Sequence, residues 1–265
     1  MRLILAVLLT YSVSSLALVG EAPRLPESVS QSIRAVLEAA DQKRSLGNDL
    51  KNNANQLICR WVAEQLRSHS TSEILQGLTP HILVSTNEHL LGWTNRLHLK
   101  NVSKTPQISV IFRRLQKDEE EILGLRLDTF DNTLREDGYL DSGPPFIVAK
   151  QGGRITTFSF ESVSPPFAVP HTYTFLGFVS ESGRTGLPDI LVSEGPSGSG
   201  NFVYFFQVHC DETDGWKVVW KYNCPHVTSV KYFPEKHVLA LEYYPDRASK
   251  RQKVALTLRW GGRSE

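Results

Sequence analysis

From residue 82 onward the chain reads as one short strand after another, and this constrains its fold more than any other feature. Apolar or alternating runs cover 82–85, 96–99, 108–115, 121–129, 146–149, 154–160, 173–179, 190–193, 202–209, 217–222, 227–233, 238–244 and 253–260. Some alternate, as Val254, Leu256 and Leu258 do against Ala255, Thr257 and Arg259, the pattern of a strand with one face buried. Others are continuous, such as Phe202-Val203-Tyr204-Phe205-Phe206. Turn signals separate the runs: Gly152-Gly153, Gly183 to Gly186, Gly195 to Gly200, Asp214-Gly215, Pro234-Glu235 and Pro245-Asp246. Short strands spaced about ten residues apart pair as antiparallel sheets in a sandwich, a barrel or a propeller. Long helices do not alternate with them, which disfavours a parallel α/β fold. The proline-bearing stretch 162–170 reads as a linker within the β region.

Ahead of the strands the period changes to that of helices. Val29, Ile33, Val36, Leu37 and Ala40 form one stripe, with Gly47 as a stop signal. Leu50, Ala54, Leu57, Ile58, Trp61, Ala63 and Leu66 form a second, with Asn48 placed to cap it. A short third helix is expected over 72–76. Two such helices joined by a turn predict a helical hairpin that must pack its stripes on something else. Further upstream, Met1-Arg2 precedes an apolar run from Leu3 to Leu9, a more polar stretch, and Ser15-Leu16-Ala17. A basic start, a short apolar core and small residues at an exit are the order of a secretory signal peptide, cleaved here after Ala17. An uncleaved anchor is the rival reading, because no charge appears from Leu3 to Gly20. The sequence therefore predicts an α+β protein: a signal peptide over 1–17, a helical segment over 18–80, and a large antiparallel β-rich domain over 81–265, propeller-like or a sandwich. The expected location is periplasmic or extracellular, with no membrane span after signal cleavage.

Composition enters through what it excludes. The net charge of +1 provides no field to attract nucleic acid, and a 40% hydrophobic, 22% charged chain can bury a core. The three cysteines are Cys59, Cys210 and Cys224, an odd number, so one at least is unpaired within the chain. Residues 202–210 and 216–224 read as the two arms of a hairpin about the turn 211–215. That places Cys210 at the turn and Cys224 at the far end, roughly 26 Å away at the strand rise, where no disulfide reaches. The same separation holds His209-Cys210 apart from Cys224-Pro225-His226, which by residue type suggest zinc.

One segment carries a pattern with chemistry in it. Glu181-Ser182-Gly183-Arg184-Thr185-Gly186-Leu187-Pro188-Asp189 leads into Ile190-Leu191-Val192. Oxygen ligands at alternate positions can point into one concavity, and a glycine permits the sharp turn between them. The segment resembles the calcium loop of FG-GAP or VCBS repeats, which belong to β-propellers and related exported proteins. Glu181, Gly186 and Asp189 match that loop, while Gly183 and Thr185 stand where it has carboxylates or an amide. The resemblance implies Glu181 and Asp189 as calcium ligands. A second partial copy, Asp137-Gly138-Tyr139-Leu140-Asp141, has the same Asp-Gly-x-x-Asp spacing.

Catalytic signals are weaker. Gly195-Pro196-Ser197-Gly198-Ser199-Gly200 exposes serines but is not a nucleophile elbow between strand and helix. Cys59 lies in a helix with no neighbouring histidine. Aromatics are dense late in the chain, and even spacing places Trp216, Trp220 and Tyr222 on one strand face. Such a row is a sheet core when buried and a platform for sugars or peptides when exposed. Asn101-Val102-Ser103 fits a glycosylation sequon. The expectation is an exported, non-enzymatic binding or interaction protein for a protein or glycan ligand. A secreted carboxylate-dependent glycan hydrolase and a structural envelope component are the alternatives.

Overall fold

In a computed structural model the described residues are 21–41, 48–78, 83–85, 107–116, 120–131, 139–142, 145–160, 171–180, 186–196, 202–211, 213–246 and 249–262. The signal peptide, the 96–99 run, the sequon and the 162–170 linker lie outside them.

Three helices come first: α1 (Glu27–Asp41), α2 (Asn48–Gln65) and α3 (Thr71–Leu78). The expected stripes are the buried ones. Val29, Ile33 and Val36 of α1 meet Ala54, Ile58, Trp61 and Val62 of α2. A reciprocal cap starts α3: the Ser70 backbone N–H donates to Glu73 Oε2 at 2.7 Å, and the Glu73 N–H donates to Ser70 Oγ at 3.3 Å. At the other end of α2, Lys150 Nζ donates to the Leu66 carbonyl at 3.1 Å, meeting one of the acceptors a helix C-terminus leaves open.

The strands form three sheets. The first contains β1 (Leu83–Ser85), β2 (Gln107–Gln116), β3 (Glu120–Asp131), β4 (Tyr139–Ser142), β5 (Phe146–Gln151) and β6 (Arg154–Ser159), in the order β1-β2-β3-β5-β6 with β4 also on β3. Among the described residues only β1 departs from the antiparallel expectation, pairing parallel to β2. The second is a four-strand meander of β7 (His171–Val179), β8 (Asp189–Pro196), β9 (Phe202–Asp211) and β10 (Gly215–Pro225). The third is a meander of β11 (Val227–Phe233), β12 (Val238–Tyr243) and β13 (Gln252–Thr257).

Side-chain parity stacks these elements in layers. On β5, Phe146 and Val148 join the helices in one core, while Ile147 and Ala149 face the second sheet. On β8, Ile190 and Val192 point back toward the first sheet, and Leu191 points on to the third. Strand β9 divides the same way, Phe206 and Val208 against Val203 and Phe205. The continuous apolar run at 202–206 thus belongs to a strand buried on both faces. The alternating run at 254–258 belongs to β13, whose Val254 and Leu256 turn inward while Lys253, Ala255 and Thr257 stay exposed. Glu242 on that outer face pairs with Lys253 at 2.9 Å and Arg251 at 3.2 Å. Helices cover one end of the stack and a charged face ends the other. Among the described residues the sheets therefore stack without closing into a ring.

Two bulges adjust the second sheet. One lies between Val218 and Trp220 on β10 and overturns the single-face reading of its aromatics. An extra residue reverses parity, so Trp216 packs toward the first sheet while Trp220 and Tyr222 pack toward the third. The other lies between Phe175 and Gly177 on β7. There Gly177 makes room for Tyr232, since a Cβ would stand 2.5 Å from its ring. Tyr232 then donates its hydroxyl to the Phe178 carbonyl at 3.0 Å, tying the third sheet to the second.

Candidate functional site

Asp189, one of the two sequence-predicted ligands, opens β8 and is fully buried on the face toward the third sheet. Glu181 lies outside the described residues, as does the 137–138 part of the second partial copy, whose Tyr139–Ser142 forms β4. Antiparallel pairing of β8 with β9 brings Asp189 beside Gln207 and His209. His209 Nδ1 donates to Asp189 Oδ1 at 2.7 Å. Oδ2 accepts from Gln207 Nε2 at 2.5 Å and from the Gly261 backbone N–H at 2.8 Å. Gln207 Nε2 also donates to the Arg259 carbonyl at 2.6 Å. Trp260 closes the group: its Nε1 donates to the Leu187 carbonyl at 3.3 Å, and its ring meets His209 edge to face at 4.8 Å. Gly261 adopts φ 70°, a left-handed conformation that glycine takes without a Cβ penalty and that turns its N–H onto the carboxylate. The carboxylate thus fastens the end of the chain to the second sheet, through three of the four acceptor directions it offers.

The cysteines and histidines of the β9–β10 hairpin are spread as the turn geometry predicts. Cys210 stands opposite Trp216 and Cys224 opposite Val203, at the two ends of the ladder. Cys210 also points to the first-sheet side, near Thr156 Oγ1 at 3.9 Å, away from His209. All three thiols are free. Among the described residues, no three of His, Cys, Asp and Glu come together to hold a metal ion.

A second buried polar chain runs between the first two sheets. Arg126, with no exposed surface, donates Nη1 to the Tyr173 carbonyl at 2.5 Å. Tyr173 in turn donates its hydroxyl to Glu194 Oε1 at 2.7 Å, and Glu194 is 1% exposed. These groups carry charge into the core but are engaged with one another, so they present nothing to a ligand.

Among the described residues a concave feature lies elsewhere, between α2 and the edge formed by β5 and β6. It is a cleft of about 440 Å³, within the usual range for small-molecule sites, about 300–1,000 Å³. Helix α2 lines one wall with Gln56, Cys59, Arg60, Ala63 and Glu64, and the turn that follows it adds Arg67. Spacings of three and four residues put the five helical residues along one side of α2. The other wall is Phe146, Ile155, Thr157, Phe158 and Ser159. On β6, Ile155 turns its side chain to the helix side, while the Phe158 ring packs on the opposite face against the buried Phe160 at 5.1 Å. Arg60 and Arg67 are exposed and form no ion pair among the described residues. Cys59 is not set up as a nucleophile: burial pushes its thiol up to about 12, only partly offset by the neighbouring Arg60 charge.

Sequence reasoning passed over this cleft. It read α2 for its apolar stripe, and the polar residues flanking that stripe look like any solvated helix surface. Strand β6 joins them from about ninety residues downstream, and no local pattern connects the two. Comparison of the chain with family models, with curated proteins and with solved structures finds no match.

Proposed function

We propose that this is an exported binding protein that holds a small ligand in the cleft between α2 and β6. The cleft carries the reading: a concavity of about 440 Å³ with an apolar wall and two arginines free of ion pairs among the described residues has the form of a ligand site. Export rests on the charge and apolar pattern of residues 1–17. Among the described residues no helix is long and apolar enough to cross a membrane.

A binding role is favoured over carboxylate-dependent glycan hydrolysis by the distribution of acids. That chemistry needs two carboxylates facing each other across about 5–10 Å, and Glu64 is the one carboxylate among the described residues lining this cleft. Asp189 and Glu194 are each committed to partners inside the protein. The aromatics of β10 also pack into cores, Trp216 on one side and Trp220 with Tyr222 on the other. The FG-GAP resemblance of the 181–189 segment implies export, and it does not bear on the cleft.

The test is a thermal-shift screen of a small-molecule panel against the wild type and Thr157→Trp. Thr157 is an exposed strand residue on the cleft wall, where a large aromatic is compatible with the strand and fills the space. Ligands that raise the melting temperature of the wild type, and lose that effect in Thr157→Trp, support the proposal. Ligands that stabilise both proteins equally bind elsewhere and refute it.

A further inference from the structure

The chemistry of the cleft walls narrows the ligand, on the reading that the cleft is the binding site. Arg60 lies near the C-terminal end of α2 and Arg67 in the turn just beyond it, and both line the same cleft. Glu64 stands between them at i+4 and i−3, yet forms an ion pair with neither. The helix wall thus carries one net positive charge, with two guanidinium forks available to an oxyanion. Opposite them, Ile155 supplies an apolar surface beside Phe146, and Ala63 leaves that surface open from the helix side. A free inorganic anion would leave the apolar wall unused, and a neutral apolar molecule would leave the guanidinium groups facing it unpaired. Nothing in the net charge of +1 favours a polyanion.

We infer that the cleft binds an amphipathic organic oxyanion, with its carboxylate or phosphate head at Arg60 and Arg67 and an apolar body against Ile155. The head lies at the outer edge of the cleft, where the exposed arginines meet solvent, and the body points inward toward Cys59 and Phe146. A charged head on arginine gains the strong, directional hydrogen bonds of an ion pair at a partly desolvated site. The apolar body gains from the removal of its surface from water. Neither contribution alone would use both walls.

Three probes of one shape separate the contributions: 2-naphthoate, 2-naphthyl phosphate and the uncharged 2-naphthamide. Their affinities are measured by titration calorimetry on the full mature chain, its Arg60→Gln/Arg67→Gln variant and its Thr157→Trp variant. Both arginines are exposed, Arg60 on α2 and Arg67 in the turn after it, so the double variant keeps the fold, which its melting temperature verifies. The expected result is that at least one anion binds about tenfold or more tightly than the amide. The double substitution should remove that advantage while leaving the amide unchanged, and Thr157→Trp should abolish all binding. The stronger anion of the two identifies the head, carboxylate or phosphate. Equal binding of all three probes, indifferent to the arginines but lost in Thr157→Trp, overturns the inference and leaves the cleft reading standing. Binding that survives Thr157→Trp overturns both. Absence of binding by every probe overturns the inference, and the wider panel then decides the cleft reading.

Discussion

Replacing Asp189 by alanine should be the most damaging single change in the second sheet, and the comparison with asparagine tests why. In the native structure Asp189 accepts from His209 Nδ1, Gln207 Nε2 and the Gly261 N–H, all in a buried setting. Alanine leaves the three donors facing a small void. Gln207 keeps the Arg259 carbonyl as acceptor, but the His209 and Gly261 donors are stranded. Each stranded buried donor costs about 1–3 kcal/mol, and breaking a buried charged network about 3–5 kcal/mol. For a chain of this size each kcal/mol moves the melting temperature by about 2–4 °C. The expected loss is therefore about 10 °C, accompanied by a change in Trp260 fluorescence as the chain end comes away. Asparagine behaves differently. Its remaining oxygen can take the place of Oδ2 and keep both Gln207 and Gly261. Its amide nitrogen then faces His209 Nδ1, which becomes an acceptor if the imidazole proton moves to Nε2. Asp189→Asn should thus lose only about 1 kcal/mol, the net worth of an ordinary hydrogen bond. Calorimetric unfolding of the three proteins decides the matter. Equal losses in both variants, or a loss under about 1 kcal/mol in Asp189→Ala, would refute the hub as described.

Other consequences are checked more simply. Gly177→Ala places a methyl group 2.5 Å from the Tyr232 ring, so it should destabilise by about 1–3 kcal/mol through overpacking, and Tyr232→Ala in the same chain should recover part of that loss by a double-mutant cycle. The Asp211 carboxylate is held well below its usual range by hydrogen bonds from Thr213, then Asp214 and Lys217. A depressed folded-state pKa contributes stability that is full above the unfolded carboxylate value and drains as pH falls through the folded one. The melting temperature of the wild type should therefore fall more steeply below pH about 4 than that of Asp211→Asn; parallel curves would contradict this. Iodoacetamide at mildly alkaline pH followed by peptide mass mapping should label Cys210 before Cys59 and Cys224, because burial pushes the latter two thiols up to about 12 and about 11, whereas the Thr156 hydrogen bond and Arg154 partly offset burial at Cys210. Excess calcium over chelator should leave the melting temperature unchanged if Asp189 serves only the hub, while a rise that Asp189→Asn abolishes would place a cation at the 181–189 loop.

Much of the fold was legible in the sequence because it is written in local periodicity. The stripe through Val29, Ile33 and Val36, the alternation at 254–258 and the Asp211–Gly215 turn each express a rule spanning fewer than a dozen residues, and each element appears where that rule puts it. Hairpin pairing also follows from chain order, so the position of the turn and the length of its two arms are enough to separate Cys210 from Cys224. What the sequence could not supply was parity after a bulge. The single extra residue between Val218 and Trp220 leaves no compositional mark, yet it divides the β10 aromatics between two cores.

The sites depended on tertiary structure for a different reason. Asp189 was visible as an acid at the mouth of a strand, but its partners come from β9 and from the last residues of the chain, about seventy positions away. A ligand for calcium and an acceptor for backbone and imidazole donors are the same residue type in the same local pattern, so only its neighbours assign its present role. The cleft was invisible for the complementary reason: Arg60 and Arg67 look like solvated helix surface until β6 is laid beside them. By itself the sequence determined which segments are helix and strand and which side chains need burial, since those follow from covalent geometry and hydrophobic period. Which polar groups meet one another was decided only by the stacking of the sheets and helices, because that depends on contacts between residues that share no local signal.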